Sequence, residues 1–210
     1  MAGVILVRDG HSSSAARSLL PANVAASGRV LLLVAFIGIA VGLRTEVFRN
    51  GLLDGVEEGL LFGSLWLGIA FVGGLRWSRP DPRALAGGLV AGIVLLALPL
   101  ALHPEARAVV LGHAAGFWPW VAATSLVACA EEAVLRGSLW RAIATAAGEP
   151  AALIATSVLF ALIHVPIYGT SVVPLDLGVG LVLGGLRLWF GGVAAPAAAH
   201  LVADLGTWWL

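Results

Sequence analysis

The chain has 210 residues, of which 60% are hydrophobic and 11% charged, and its formal net charge is zero. A soluble domain carries about 25% charged residues, so this chain cannot cover a water-facing surface, whereas its 27 glycines suit helices packed closely in lipid. The zero balance gives no reason to expect a nucleic-acid partner, and the one cysteine, Cys129, excludes an intrachain disulfide or a CxxC metal site.

Residues 1–29 contain no secretory signal: the apolar stretch at 4–7 is too short, and Arg17 and Arg29 interrupt the residues after it. They are expected to form a poorly ordered cytoplasmic lead-in, and residues 30–210 a single transmembrane domain. Apolar runs stand at 30–43, 59–75, 84–102, 108–130, 151–167, 172–186 and 193–210. A span needs roughly 20 residues, so the first run must borrow from its flanks. Trp118-Pro119 reads as a helix start, with Pro in the first turn, which predicts a helix from Pro119 to about Ala146 and a separate short segment before it. Gly148 and Pro150 should end that helix and begin another, which Pro166 should stop. Pro174 and Pro196 suit first helical turns, and Trp189-Phe190-Gly191-Gly192 suits a tight turn at headgroup level. The predicted fold is all-α, a polytopic transmembrane helix bundle of seven to eight spans. All the basic residues are arginine, and with the N-terminus inside they divide eight to three in favour of the inner side, Arg136 being set aside as intramembrane. The positive-inside rule then puts the protein in the cell (inner) membrane with a cytoplasmic N-terminus.

Within these runs stand ionisable groups that cost about 2.5–3.5 kcal/mol each to insert. Glu131, Glu132 and Arg136 interrupt TSLVACAEEAVLRGSLW. Glu132 and Arg136 stand at i and i+4, with the acid on the N-terminal side, the favourable order for an ion pair. Glu131 projects about 100° away and has Leu135 at its own i+4, so it is the carboxylate without a local partner. It is the candidate general base for a water, with Glu132 and Arg136 as the positioning pair. His164 lies one turn after Phe160, which stands to wall the pocket against lipid, and His200 and Asp204 form a further i, i+4 pair in which the carboxylate orients the imidazole. Glu57 and Glu58 precede an apolar run and read as its solvated end. Cys129 reads as a small residue packed inside a helix, and His11, His103 and His113 as structural or solvated.

The ordered set Glu131-Glu132-x-x-x-Arg136, Phe160-x-x-x-His164 and His200-x-x-x-Asp204 resembles the CPBP family, the CAAX-type prenyl endopeptidases and bacteriocin-processing or immunity-associated intramembrane proteases. GLVLGGLRLWFGGVAAPAAAHLVADL is similar to that family's final motif, and the resemblance covers about residues 117–210, the catalytic half. It implies hydrolysis of a peptide bond in a membrane-associated protein or peptide substrate, with Glu131 activating water, His164 assisting, and His200 and Asp204 binding the developing oxyanion or a metal. No cofactor is favoured and no metal is assigned. Zinc is the alternative, with His164, His200 and Glu131 as its candidate ligands, although the chain lacks HExxH. With few residues after Asp204, no C-terminal helix is expected to cover the site from that side, and the short chain leads us to expect a dedicated processing or sorting role. Two other readings stay open: a non-catalytic membrane protein that binds a peptide, and a proton-coupled transporter. Substrate identity and oligomeric state are not legible.

Overall fold

In the computed structural model residues 22–76, 79–102 and 116–209 are described, and all of their regular structure is helical. The first apolar run is lengthened at both ends into α1 (Ala22–Arg49, 28 residues), so residues 22–29 belong to the helix and not to a lead-in. Next come α2 (Gly55–Val72), α3 (Pro82–Leu102) and α4 (Phe117–Glu132). A π-helical segment, Ala133–Leu139, joins α4 to α5 (Trp140–Ala147) without a break, so one rod runs through residues 117–147. The chain then forms α6 (Glu149–Tyr168), α7 (Val173–Phe190) and α8 (Ala194–Gly206). Pro119, Pro150, Pro174 and Pro196 all fall in first turns, where a missing N–H costs no helical bond.

Pro166 does not stop α6. The helix continues through it to Tyr168, because a proline this near the C-terminus removes a single backbone bond. The stop is Gly169, at φ +82°, whose N–H bonds back to the Val165 carbonyl at 2.8 Å. Trp189 and Phe190 likewise close α7, and the turn itself begins at Gly191.

Among the described residues four helices are long and apolar enough to cross a membrane: Asn23–Arg49, Gly55–Val72, Glu149–Tyr168 and Thr170–Phe190. The expected count of seven to eight needs α3, the α4–α5 rod and α8 as well. The rod carries charge in its middle and α8 has 13 residues. Leu31, Phe71, Val90 and Ile154 are exposed, while Trp66, Trp140, Leu33 and Leu135 are buried, so the helices are apolar on both faces, as lipid requires. His11, His103, His113 and the short segment predicted before Trp118 lie outside the described residues.

Small residues set the helix directions. Gly59 faces Ala123 and Gly63 faces Leu126, so α2 and α4 run parallel. Gly88 faces Ala198 and Gly92 faces Val202, so α3 and α8 also run parallel. Gly180 lies on Ser157 and Gly184 on Leu153, which makes α6 and α7 antiparallel. The Arg44–Glu58 contact and the approach of Leu33 to Gly73 make α1 and α2 antiparallel. One end of the bundle therefore gathers the start of α1, the end of α2 and the starts of α3 and α8. The other gathers the end of α1, the starts of α2, α4 and α7, and the ends of α6 and α8.

Candidate active site

Midway along the α4–α5 rod the backbone widens from α to π geometry directly after the two glutamates. Such bulges are frequent at functional sites, because the extra residue in the turn re-aims the side chains around it. Glu132 and Arg136 are fully buried and paired at 2.8 Å between Oε1 and Nη1. Arg136 Nη2 donates to the Gly180 carbonyl at 3.0 Å, and its guanidinium lies 4.8 Å from the centroid of the Phe160 ring. The pair thereby ties the rod to α6 and α7. Glu132 Oε1 also meets His200 Nδ1 at 3.1 Å, so this carboxylate holds the arginine on one side and the imidazole on the other.

Glu131 points elsewhere. It lines a cavity of about 660 Å³ together with Phe160, His164, His200 and Asp204, while Glu132 and Arg136 sit behind the wall. The three separate motifs of the sequence thus meet in one place, brought there by α4, α6 and α8. His164 Nδ1 lies 2.8 Å from the Phe160 carbonyl, an acceptor, so Nδ1 carries the proton in the neutral ring and Nε2 is left to accept. His200 has a carboxylate at each edge: Glu132 at Nδ1, and Asp204 at Nε2 across 3.4 Å. Asp204 lines the cavity and Glu132 does not, so Nε2 is the edge turned towards it. Phe160 is not a wall against lipid. It is buried between the two imidazoles, edge-on to His164 at 4.9 Å and to His200 at 5.4 Å.

Four cavity groups were absent from the expected site. Glu58 was expected to be solvated. It is 9% exposed and accepts a 2.8 Å bond from Arg44 Nε, and Arg44 Nη1 stands 3.9 Å from Glu131 Oε1. Glu57 is the solvated residue of that pair, closing a capping box with Asp54 at the start of α2. The signal for Glu58 was its spacing: it begins the buried stripe Glu58, Phe62, Trp66, Ala70. Asp176, in the first turn of α7, lies 3.6 Å from His164, and Tyr168 stacks on the same imidazole at 6.0 Å. Cys129, expected inside the packing, is on the outer face of α4.

Among the described residues no three His, Cys, Asp or Glu side chains come together as a metal-holding group. Of the alternative zinc ligands, both His200 nitrogens face carboxylates, and His164 Nδ1 is committed to a backbone carbonyl while its Nε2 is not.

No curated protein and no solved structure matches the chain. Residues 107–206 match the family described as Rce1-like, Type II CAAX prenyl endopeptidase Rce1-like, a stretch that holds Glu131, His164, His200 and Asp204. Over that stretch the chain is similar to the CAAX-type prenyl endopeptidases.

Proposed function

We propose that the protein is an intramembrane endopeptidase in which Glu131 activates the attacking water, acting on a membrane-associated protein or peptide. The observation that carries this reading is the convergence of Glu131, His164, His200 and Asp204 on one cavity, with Glu132 and Arg136 buried behind it. Glu131 takes a proton from a water whose second hydrogen is held by His164 Nε2. The water oxygen forms a bond to the carbonyl carbon of the scissile peptide. His200, presenting an Nε2–H at the cavity, meets the negative charge that collects on the carbonyl oxygen, a contribution typically worth about 100–1000-fold in rate. The C–N bond then breaks, and the proton carried by Glu131 passes to the departing amine nitrogen, which restores the carboxylate.

This reading routes no step through a metal. Purified protein is expected to stay active after dialysis against a chelator. About one equivalent of zinc, lost together with activity in His200→Ala, would overturn that part of it. The same reading has the chain cross the cell (inner) membrane seven to eight times, with its N-terminus on the cytoplasmic side.

The experiment compares the termini of membrane proteins by mass spectrometry in cells carrying wild type, Glu131→Gln or Glu57→Gln. A cleavage product absent only in Glu131→Gln is expected, and it identifies the substrate. Glu57 is the appropriate control because it is exposed and away from the cavity, as Glu58 is not. Unchanged termini with well-folded protein would favour a peptide binder instead.

A further inference from the structure

The two ends of the bundle carry very different charge. At the end that gathers the start of α1 stand Arg29, Arg76, Arg79, Arg83, Arg141 and Arg187. They are clustered in space: Arg141 donates to the Gly74 carbonyl, beside Arg29, and lies within electrostatic reach of Arg29, Arg76 and Arg187. At the opposite end the described residues supply only Arg44 and Arg49. Arg44 is turned into the cavity against Glu58, and Arg49 is near Glu46 at 3.9 Å. Arginine near span ends stays on the cytoplasmic side, whereas acidic residues contribute little to orientation. The end with six arginines is therefore cytoplasmic.

The cavity belongs to the other end. Its rim is built from Phe48 in the last turn of α1, Gly55 at the start of α2, Trp120 in the first turn of α4, Tyr168 at the end of α6, Asp176 in the first turn of α7 and Thr207 just past α8. Each of these positions lies at the arginine-poor end. Glu131 and His200 stand deeper, towards the middle of their helices.

We infer that the catalytic cavity opens on the non-cytoplasmic face of the membrane, so that its substrate is a membrane-anchored segment already exported when it is cut. The inference takes the endopeptidase reading for what the cavity does, and takes the helix directions for the side on which it opens. It separates the substrate from a lipidated tail presented in the cytoplasm. The scissile bond lies at the outward end of an anchoring segment, within reach of Glu131 from that side.

Cysteine accessibility tests it in intact cells, in a Cys129→Ala background. Asn50→Cys marks the turn between α1 and α2 at the cavity end, and Pro80→Cys marks the loop between α2 and α3 at the arginine end, both exposed. A membrane-impermeant maleimide is expected to label Asn50→Cys in intact cells and Pro80→Cys only after permeabilisation. An epitope tag appended after Leu210 is expected to be removed by protease added outside, since α8 ends at the cavity end. Labelling in the reverse pattern, or at both positions in intact cells, would overturn the inference. The proteolytic reading fails separately: a missing Glu131-dependent product leaves the labelling pattern untouched, and a reversed pattern leaves the product untouched.

Discussion

Glu131 draws its surroundings from both halves of the chain. His164 and His200 reach it from α6 and α8. Among the described residues the only guanidinium lining its cavity, that of Arg44, reaches it from α1, held in place by Glu58. Glu58→Gln is expected to leave the fold intact and to lower kcat about tenfold with little change in KM, the equivalent of losing ~1.4 kcal/mol of charge-assisted bonding. Arg44→Lys should recover part of what Arg44→Gln loses. Both are read in steady-state cleavage of the substrate found in the termini comparison. Arg136 differs in kind. Its removal in Arg136→Met leaves Glu132 charged and buried without its partner, a loss of about 3–5 kcal/mol, which should appear as a lower thermal midpoint in detergent whatever the assay. The motif residues were legible because a carboxylate or imidazole in an apolar run is itself a signal. Arg44 was not, and Glu58 was marked only by its spacing with Phe62, Trp66 and Ala70, because each stands near the end of its run, where solvated charge is ordinary. Only the neighbouring helix shows that these ends face inward.

At the scale of elements, packing is set by small residues placed a turn apart. A methyl group on Gly92 would stand 2.6 Å from the Ala199 carbonyl oxygen and 2.7 Å from Val202 Cβ. Gly92→Val therefore pushes α3 off α8 beside His200. It is expected to cost about 1–3 kcal/mol and to lower activity through the displaced imidazole, measured as thermal midpoint and cleavage rate together. Gly185→Ala, where nothing lies within 4 Å, is the neutral comparison. Helix starts were legible from proline and glycine, because their backbone restrictions act locally. The π segment was not. Its sequence, AVLRGSL, carries no local mark, and the extra residue is accommodated by Arg136 bonding to Glu132 and to the Gly180 carbonyl on another helix.

Across the whole molecule, the stretch matching the family is not self-sufficient. Residues 116–209 lie against α2 through Gly59 and Gly63 and against α3 through Gly88 and Gly92, and they receive Arg44 and Glu58 from α1 and α2. A chain lacking α1–α3 is expected to yield no cleavage product, and coexpression of the missing helices should restore some of it, measured by the same comparison of termini. Composition and the length of the apolar runs determined that this is an all-helical membrane protein, because a span needs summed hydrophobicity over roughly 20 consecutive residues. Residue type and spacing alone determined the pairing of Glu132 with Arg136 and that of His200 with Asp204, because partners four residues apart on a helix meet by geometry. Tertiary structure decided the rest. It set which carboxylate faces the cavity, placed Glu132 between an arginine and a histidine from different helices, admitted Arg44, Glu58, Asp176 and Tyr168, and turned the cavity towards the arginine-poor end. Each of these depends on contacts between helices far apart in the chain, which local periodicity does not encode.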